Sequence, residues 1–271
     1  MSGIRRLGML FEEFRLRVMK PKLHHEFLIV TAAHNAENYV RRHLASIRGQ
    51  NYPKERYRHL IIDDASTDAT GELVEQFARD SSNVEYRRNT ERRGGCANLT
   101  RAFRDADPGS IVLQVDGDDW LPDPHVLSYL NLLYQDLELW MTYNTWAFAD
   151  GRPALNSSPL PEYVVRARSY RDEAWTSSHL HSFRAKLFRH VREESLIDPE
   201  TGDYFRSAVD MAHYFPMLEL SGTHARHVER VLYVYNLHPG SIGTTQREQQ
   251  LGCEKRIRNL ERYAPLASLE G

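Results

Sequence analysis

The sequence predicts an α/β protein built on an open, mainly parallel sheet that is flanked by helices. Short apolar runs alternate with segments of helical period from Phe27 to residue 133. Strands buried on both faces read as continuous apolar runs, and their alternation with helices is typical of a parallel sheet. Polar clusters directly follow these runs, as expected at the ligand-binding edge of such a sheet.

Four strands and four helices are predicted in the first half of the chain. Three strands are the apolar runs at Phe27–Thr31, Leu60–Ile62 and Ile111–Val115, and the stretch Val84-Glu85-Tyr86 is predicted as the third strand in chain order. The helices are marked by apolar residues at helical spacing: Val40, Leu44 and Ile47; Leu73, Val74 and Phe77; Leu99, Ala102, Phe103 and Ala106; Val126, Leu127, Leu130 and Leu133. Asn35 is the predicted N-cap of the first helix.

The second half of the chain is less regular. The predicted elements are an aromatic β-prone stretch at 139–148, a proline-rich loop at 153–161, a helix at 210–220 kinked by Pro216, a strand at 228–235 and a closing helix at 248–263. No linker is evident inside 27–240. We therefore expect one domain at 26–243, preceded by a segment at 1–25 and followed by a helical extension at 244–271.

The first 25 residues form a basic amphipathic segment. Ile4, Leu7, Phe11, Phe14 and Val18 fall on one helical face, and six basic residues stand against two glutamates. Such a helix most often docks on its own domain. The alternative is peripheral contact with an anionic membrane, or with a partner, through residues 1–20.

The composition argues against several classes of protein. The formal net charge of the 271 residues is −2, which gives no general affinity for nucleic acid. The two cysteines, Cys96 and Cys253, are far apart and lack metal-ligand spacing, so no disulfide framework is indicated. The sequence has neither a signal-peptide pattern nor an apolar run long enough to span a bilayer. We expect a cytoplasmic protein.

Four polar clusters follow the four predicted strands. They are Ala33-His34-Asn35, Asp63-Asp64, Arg92-Arg93-Gly94-Gly95 and Asp116-Gly117-Asp118-Asp119. In open α/β sheets, ligands bind outside the carboxyl ends of the strands. Convergence of four clusters at this edge predicts one site of the size of a nucleotide.

Three carboxylates within four residues follow the fourth strand. Asp116, Asp118 and Asp119 repel one another. A hard divalent cation relieves that repulsion, because Mg²⁺ and Mn²⁺ prefer carboxylate and phosphate oxygens. An isolated motif of this kind is more often a solvated turn. Its position directly after a buried strand favours a metal site instead.

The same motifs carry a family resemblance. They are Thr31-Ala32-Ala33-His34-Asn35, Ile61-Ile62-Asp63-Asp64-Ala65-Ser66-Thr67-Asp68, Gly95-Cys96-Ala97-Asn98 and Asp116-Gly117-Asp118-Asp119. In this combination the chain resembles glycosyltransferase family 2, strongly from Phe27 to Pro124 and loosely to about Ser241. The resemblance implies the GT-A fold and an inverting transferase that uses a nucleotide-sugar, such as a UDP-sugar, and Mn²⁺ or Mg²⁺.

The resemblance also implies roles for individual carboxylates. Asp64 would contact the nucleoside, Asp116 the ribose or donor sugar, and Asp118 the metal. Asp119 would share one of the last two tasks. Asp210 falls where the family places its general base; a carboxylate that caps a helix is the alternative for this residue.

The remaining candidate residues surround these carboxylates. Thr31, Ala33, Asn35, Arg93 and Gly117 complete the predicted donor-binding set, and His238 is a further candidate metal ligand, with an ordinary loop histidine as the alternative. On the acceptor side, the polar and aromatic cluster of Trp175, His179, His181 and Arg184 can stack on and hydrogen-bond to sugars, although core packing explains it nearly as well.

The predicted function is a single sugar addition to a hydroxyl of a carbohydrate, glycolipid or glycoprotein. A processive synthase of this family would carry membrane helices and a Gln-x-x-Arg-Trp motif, which the sequence lacks. An NAD-dependent enzyme would need a glycine-rich turn after the first strand, where the residues at 31–36 include no glycine. A non-catalytic nucleotide- or carbohydrate-binding protein of the same fold is the alternative.

Overall fold

The computed structural model describes residues 21–154, 156–240 and 247–270. The strands are β1 (Phe27–Ala33), β2 (Tyr57–Asp63), β3 (Val84–Arg88), β4 (Ile111–Gln114), β5 (Met141–Phe148), β6 (His181–Arg184) and β7 (Ala225–Tyr235). The helices are α1 (Val40–Arg48), α2 (Thr70–Arg79), α3 (Gly95–Arg104), α4 (Val126–Leu133), α5 (Glu162–Ala167), α6 (Ala185–Phe188), α7 (Val209–Ser221) and α8 (Arg247–Asn259).

The strands form one sheet in the order β3-β2-β1-β4-β6-β5-β7. Strands β1 to β4 are parallel, and β5 is parallel to β7. The short strand β6 runs antiparallel between β4 and β5. The carboxyl ends of the six other strands therefore share one edge, where the loops of both halves of the chain meet.

Helices cover both faces of the sheet. On one face, Leu28, Val30 and Leu60 pack with α3, α6 and α7. On the other face, residues of α1 and α2 pack on Ile61, and residues of α4 pack with Ile29 and Leu113. The alternation of these strand residues between the two faces follows from the two-residue period of a β-strand.

The predicted fold class and the predicted strands are confirmed. The strand at 27–31 extends to Ala33, and the strand at 228–235 begins earlier, at Ala225. The helix predicted at 210–220 spans Val209–Ser221 with Pro216 inside it, whereas the closing helix ends at Asn259. Strand β6 and the short helices α5 and α6 escaped prediction, because segments of four to six residues carry little periodic signal.

The prediction of Asn35 as an N-cap is wrong. Helix α1 begins at Val40 after Tyr39, and its cap makes no side-chain hydrogen bond. Asn35 instead adopts a left-handed backbone conformation in the loop that precedes the helix. Asparagine favours both situations, so the sequence did not separate them.

The C-terminal helix packs on the rest of the sheet domain. Cys253 and Ile257 of α8 belong to the same apolar core as α7. Arg171 forms a buried ion pair with Glu219 of α7, with Nε 2.7 Å from Oε1, and its Nη1 donates to the Ile257 carbonyl at 2.7 Å. The predicted amphipathic helix at 1–20 lies outside the described residues. In the described part of the chain, no helix combines the length and apolar character that a membrane span requires.

Candidate active site

The loops after β1 and β2 are locked together by hydrogen bonds. Asn35, with φ 52°, accepts the Thr67 N–H on its side-chain Oδ1 at 2.9 Å. The Ser66 hydroxyl accepts the Asn35 N–H at 3.0 Å. The His34 ring Nδ1 lies 2.9 Å from the carbonyl oxygen of Asp64. These contacts make the two loops a single wall at the carboxyl edge of the sheet.

Asp64 is buried and holds the turn that precedes α3. Its Oδ1 accepts the Arg93 N–H at 2.8 Å and the Asn89 amide at 2.9 Å, and its Oδ2 accepts the Gly94 N–H at 2.9 Å. Burial acts to raise the pKa of Asp64, but these hydrogen bonds outweigh it and lower the pKa to about 2. Asp64 is therefore ionised at neutral pH, and Arg93 takes part in the arrangement through its backbone.

Gly117 lets the carboxylate loop rest directly on the end of β1. A Cβ at this position would lie 2.8 Å from Cβ and 3.3 Å from Cα of Ala33. Real Cβ atoms do not approach other atoms this closely, so a side chain here would displace the loop. The predicted donor residues Ala33 and Gly117 are thus brought into contact.

Asp116 is connected to α7 through a chain of side chains. The Gln114 amide donates to Asp116 Oδ1 at 3.0 Å, and the Tyr214 hydroxyl donates to Gln114 Oε1 at 2.8 Å. Tyr214 stands on the same helix as Asp210, one turn further along the chain. The carboxylate loop after β4 and the helix that carries Asp210 therefore share one hydrogen-bonded support.

Asp118 and His238, both predicted as metal ligands, meet at this edge. Nε2 of His238 lies 2.9 Å from Oδ2 of Asp118, although the two residues are 120 positions apart. The His238 ring also packs on Tyr39, with ring centroids 4.4 Å apart. Burial and the charge of Asp116 raise the pKa of Asp118, and the contact with His238 opposes them.

The separation of these two atoms suits a divalent cation. Neighbouring ligands of an octahedral Mg²⁺ at its usual bond lengths are about 2.9 Å apart, which matches the contact between Asp118 and His238. The same separation suits a hydrogen bond. Within residues 21–154, 156–240 and 247–270, no three His, Cys, Asp or Glu side chains form a cluster that could hold a metal ion. A cation held by this pair would need phosphate oxygens and water to complete its shell.

Asp119, the other predicted metal residue, is buried, and both of its carboxylate oxygens accept hydrogen bonds from the protein. Its Oδ2 accepts the Tyr233 hydroxyl at 2.6 Å, and its Oδ1 accepts the Asn236 N–H at 2.7 Å. Burial and the neighbouring carboxylates raise the pKa of Asp119 well above its usual range. With both oxygens engaged, this carboxylate fastens the end of β7, and hence the segment leading to His238, to the loop after β4.

Asp210 lies partly buried in the first turn of α7. The indole Nε1 of Trp175 donates to its Oδ2 at 2.8 Å. Burial raises the pKa of Asp210, while His179 and the Trp175 N–H act in the opposite direction. Ala208, just before the helix, has a left-handed backbone with φ 52°. Strain of this kind often accompanies functional sites.

His179 forms an aromatic stack between Asp210 and the end of β7. Its ring lies 4.9 Å from that of Tyr233 and 5.6 Å from that of Tyr235, nearly parallel to both. The structure therefore brings two of the predicted acceptor-side residues, Trp175 and His179, next to Asp210. The indole contacts the carboxylate, and the imidazole interacts with it electrostatically.

Three other predicted site residues are not at this surface. Thr31 is fully buried, and its hydroxyl lies 2.9 Å from Nε2 of His43 and 3.0 Å from Nε2 of His59. His181 is buried beneath Trp175, and its Nε2 contacts the Ser177 carbonyl. Arg184 pairs with the first residue of β4, so it lies at the opposite edge of the sheet. Alternation along a strand and the reversed direction of β6 explain why these three side chains lie apart from the other candidate residues.

Sequence reasoning missed several residues that shape the site. Asn89 holds Asp64, Tyr39 packs on His238, and Tyr233 bridges to Asp119. Asn89 stands directly after β3, so the rule that found the other polar clusters applies to it as well. Tyr39 and Tyr233 have no local signal, because their partners lie far away in the sequence.

The fold and the site define a glycosyltransferase of the GT-A type, and comparisons with known proteins agree. The structure resembles that of TarS from Staphylococcus aureus, with a TM-score of 0.61 and 20% identity over 78% of this chain and 60% of the other. It also resembles the mannosyltransferase PcManGT from Pyrobaculum calidifontis, solved with GDP-Man and Mn²⁺, with a TM-score of 0.62 and 20% identity over 94% and 73% of the two chains. At this identity the resemblance establishes the fold.

The chain belongs to glycosyl transferase family 2, whose sequence profile matches residues 28–191, more than half of its length. The S. aureus poly(ribitol-phosphate) beta-N-acetylglucosaminyltransferase TarS is 29% identical over 96 residues, which are 35% of this chain and 17% of TarS. The putative glycosyltransferase EpsH of Bacillus subtilis is 23% identical over 231 residues, or 82% of this chain and 63% of EpsH. The chain thus spans less than two thirds of either relative.

Proposed function

We propose that the protein is an inverting, metal-dependent transferase that moves one sugar from a nucleoside diphosphate sugar to an acceptor hydroxyl. The observation that carries this proposal is the contact between Asp118 and His238, which joins the carboxylate loop after β4 to the segment after β7. Nucleotide-sugar binding is supported by a TarS structure solved with UDP-GlcNAc and by the PcManGT complex with GDP-Man. We favour a UDP-sugar because TarS, which is 29% identical to this chain over 96 residues, was solved with UDP-GlcNAc and with UDP.

Asp118 and His238 would hold Mn²⁺ or Mg²⁺, with the loop geometry set by Asp119. When bound, the cation supplies Lewis-acid neutralisation of the negative charge on the diphosphate. Asp116 and Gly117 lie in the same loop and would face the ribose or the donor sugar. Asp64 and the turn at 92–94 would face the nucleoside.

Asp210 would act as the general base. Its Oδ2 accepts the indole N–H of Trp175, which orients the carboxylate, and a carboxylate of raised pKa is suited to accept a proton. The acceptor oxygen forms a bond to the anomeric carbon while the bond from that carbon to the diphosphate oxygen breaks. The acceptor proton passes to Asp210. Attack from the side opposite the leaving group inverts the anomeric centre.

The acceptor is a hydroxyl-bearing carbohydrate, glycolipid or glycoprotein, bound beside Trp175 and His179. Two relatives are named for poly(ribitol-phosphate), so a polyol phosphate polymer is an acceptor to test as well. The alternative, a binding protein without catalysis, predicts no turnover of any nucleotide-sugar.

The metal assignment is tested with Asp118→Asn. This change keeps the shape of the side chain but removes the charge, so we expect loss of metal-dependent transfer with the fold retained. The measurement is transfer or hydrolysis of a panel of nucleotide-sugars with Mn²⁺ and with Mg²⁺. Asp107→Asn is the matched control, since Asp107 is exposed and lies before β4 at the opposite end of the sheet. Near-normal metal-dependent activity of the Asp118 variant would contradict the assignment.

The base assignment is tested with Asp210→Asn. We expect transfer to fall by a factor on the order of 10²–10⁴, the usual contribution of a positioned base. Donor affinity, measured by calorimetry, should stay unchanged because the donor residues lie on other loops. A variant that keeps its transfer rate, or that loses donor binding in proportion, places the base elsewhere.

A further inference from the structure

A groove rich in arginine lies beside the candidate active site, between α3 and the edge strand β3. Its volume is about 490 Å³, which is within the range of small-molecule sites. Five arginines line it, namely Arg87, Arg88, Arg93, Arg101 and Arg104. Asp105 and Glu193 are the acidic residues of its lining, which therefore has three more arginines than carboxylates, and Glu85 and Asp63 outside the lining pair with Arg87 and Arg88. The whole chain, in contrast, carries a net charge of −2.

The groove follows one face of α3 away from the carboxylate loops. Ala97, Arg101, Arg104 and Asp105 recur at helical spacing along this wall, which makes it about 12 Å long at the rise of an α-helix. None of Asp116, Asp118 and Asp210 belongs to the lining. The groove is therefore separate from the proposed reaction centre.

One end of the groove adjoins the turn that holds Asp64. Asn89 and Arg93, which donate to the Asp64 carboxylate, also belong to the lining. A ligand in the groove can therefore bind next to the nucleoside end of the donor site. It does not need the residues that would hold the diphosphate.

Protein contacts hold several of the guanidinium groups in place before any ligand binds. Arg104 donates through Nη2 to Glu193 at 2.6 Å and to the Val191 carbonyl at 3.2 Å. The Arg104 Nε is buried and finds no hydrogen-bond acceptor within the described part of the chain. Arg88 donates to the Ser66 carbonyl at 2.8 Å. Because an arginine has five N–H donors, such contacts leave donors to bind an anion.

Two arginines provide charge that carboxylates in the groove only partly balance. Arg101 is 3.9 Å from Asp105, and 68% of its side chain is exposed. Arg87 is 3.8 Å from the same carboxylate and bonds to Glu85 at 2.7 Å. Asp105 is thus shared between two guanidinium groups. A phosphate ester carries a charge of about −1.5 to −2 and three acceptor oxygens, which suits this arrangement better than a single carboxylate does.

We propose that this groove binds a phosphate-bearing ligand at the same time as the nucleotide-sugar donor occupies the edge of the sheet. The ligand is either a phosphate group of the acceptor or a free phosphorylated metabolite; both present the same chemistry to the arginines. The site does not depend on the assignment of metal or base.

The experiment is a calorimetric titration at physiological ionic strength with fructose 1,6-bisphosphate as the probe and fructose as its phosphate-free counterpart. The protein is titrated both alone and saturated with UDP and Mg²⁺. We expect the bisphosphate, but not fructose, to bind in both states. In the double variant Arg87→Gln/Arg101→Gln the affinity should fall at least ~10-fold, because the variant loses charge-assisted hydrogen bonds to the phosphate oxygens.

The matched control is Arg152→Gln/Arg226→Gln, which removes two exposed arginines outside the groove. This variant should bind the bisphosphate within about two-fold of the wild type. UDP affinity should be unchanged in both double variants, which shows that the fold and the donor site are intact. A short oligo(ribitol phosphate) is then titrated to distinguish a phosphate group of the acceptor from a free phosphorylated metabolite. If it binds more tightly than the bisphosphate, the ligand is the acceptor; if it binds more weakly, the ligand is a free metabolite.

Three results would overturn the proposal. The first is the absence of bisphosphate binding to the wild type at millimolar concentration. The second is competition between UDP and the bisphosphate, which would place the anion in the donor site. The third is an equal loss of affinity in the control variant, which would indicate unspecific attraction. If UDP itself fails to bind, the proposed use of a UDP-sugar is contradicted. The titration of the protein alone still tests whether the groove binds a phosphate.

Discussion

Replacing Asp64 by asparagine removes a charge that the fold itself uses. The Asp64 carboxylate accepts hydrogen bonds from the N–H groups of Arg93 and Gly94 and from the Asn89 amide. In Asp64→Asn one acceptor oxygen becomes an NH₂ group, so a donor would face a donor at one of these contacts. The buried turn then has an unsatisfied N–H, or it must shift.

The magnitude follows from the pKa of Asp64, which is lowered from 3.8 to about 2. At about 1.4 kcal/mol for each pKa unit, the ionised carboxylate contributes about 2 kcal/mol to the free energy of unfolding at pH 7. The same hydrogen bonds cause this shift, so their loss is not an additional contribution. We therefore expect Asp64→Asn to lower the stability by about 2 kcal/mol.

The sign of the pH dependence follows from the lowered pKa. Because the folded pKa lies below the unfolded one, the stabilisation is fully present above pH 3.8 and is lost as the pH falls toward 2. At pH 3 about half of it should remain. The difference in stability between wild type and variant should shrink accordingly between pH 5 and pH 3.

The assay is urea unfolding, monitored both by tryptophan fluorescence and by circular dichroism. The unfolding transitions from the two signals must coincide for a two-state analysis. Asp107→Asn is the control, because this exposed carboxylate accepts one backbone N–H in a turn, and we expect its effect to stay within about 0.5 kcal/mol. A stability of Asp64→Asn within about 0.5 kcal/mol of the wild type at pH 7 would contradict this role of the carboxylate. An equal loss of stability at pH 5 and pH 3 would contradict it as well.

Two further substitutions test the geometry of the site. Gly117→Val should displace the carboxylate loop from the end of β1. We expect donor binding to weaken by at least ~10-fold and the free energy of unfolding to fall by about 1–3 kcal/mol. Unchanged donor affinity in calorimetry would show that the loop does not need this close approach. Trp175→Phe removes the N–H that favours ionised Asp210, so the pKa of Asp210 should rise and the acid limb of the kcat/KM profile should move to higher pH. If the profile stays in place while KM for the acceptor alone rises, Trp175 contacts the acceptor rather than the base.

The early strands and helices were predictable because their signals are local. Three of the first four strands, β1, β2 and β4, contain buried apolar runs. The two-residue and 3.6-residue periods distinguish strands from helices without knowledge of their partners. The polar clusters after these strands were predictable for the same reason. Parallel strands place their carboxyl ends at one edge, so position in the sequence implied position in the fold.

The direction of β6 was not predictable, and it separates the candidate residues of the acceptor side from one another. His181 and Arg184 lie in one polar and aromatic segment with Trp175 and His179. The chain enters β6 at the site edge and runs antiparallel to β4, which takes Arg184 to the opposite end of the sheet. Four residues are too short to reveal a strand or its direction, because strand pairing is a contact between distant segments.

The sequence by itself determined the class of fold, the edge of the sheet that carries the polar groups, and the carboxylates at 116–119. Only the tertiary structure decided how those carboxylates differ: Asp118 meets His238, whereas Asp119 is bound by Tyr233 and Asn236. Neighbouring identical side chains have the same local signal. They differ in the residues of β7 and of the segment after it that contact them. Long-range packing places β7 beside the carboxylate loop, and no local sequence pattern encodes that packing.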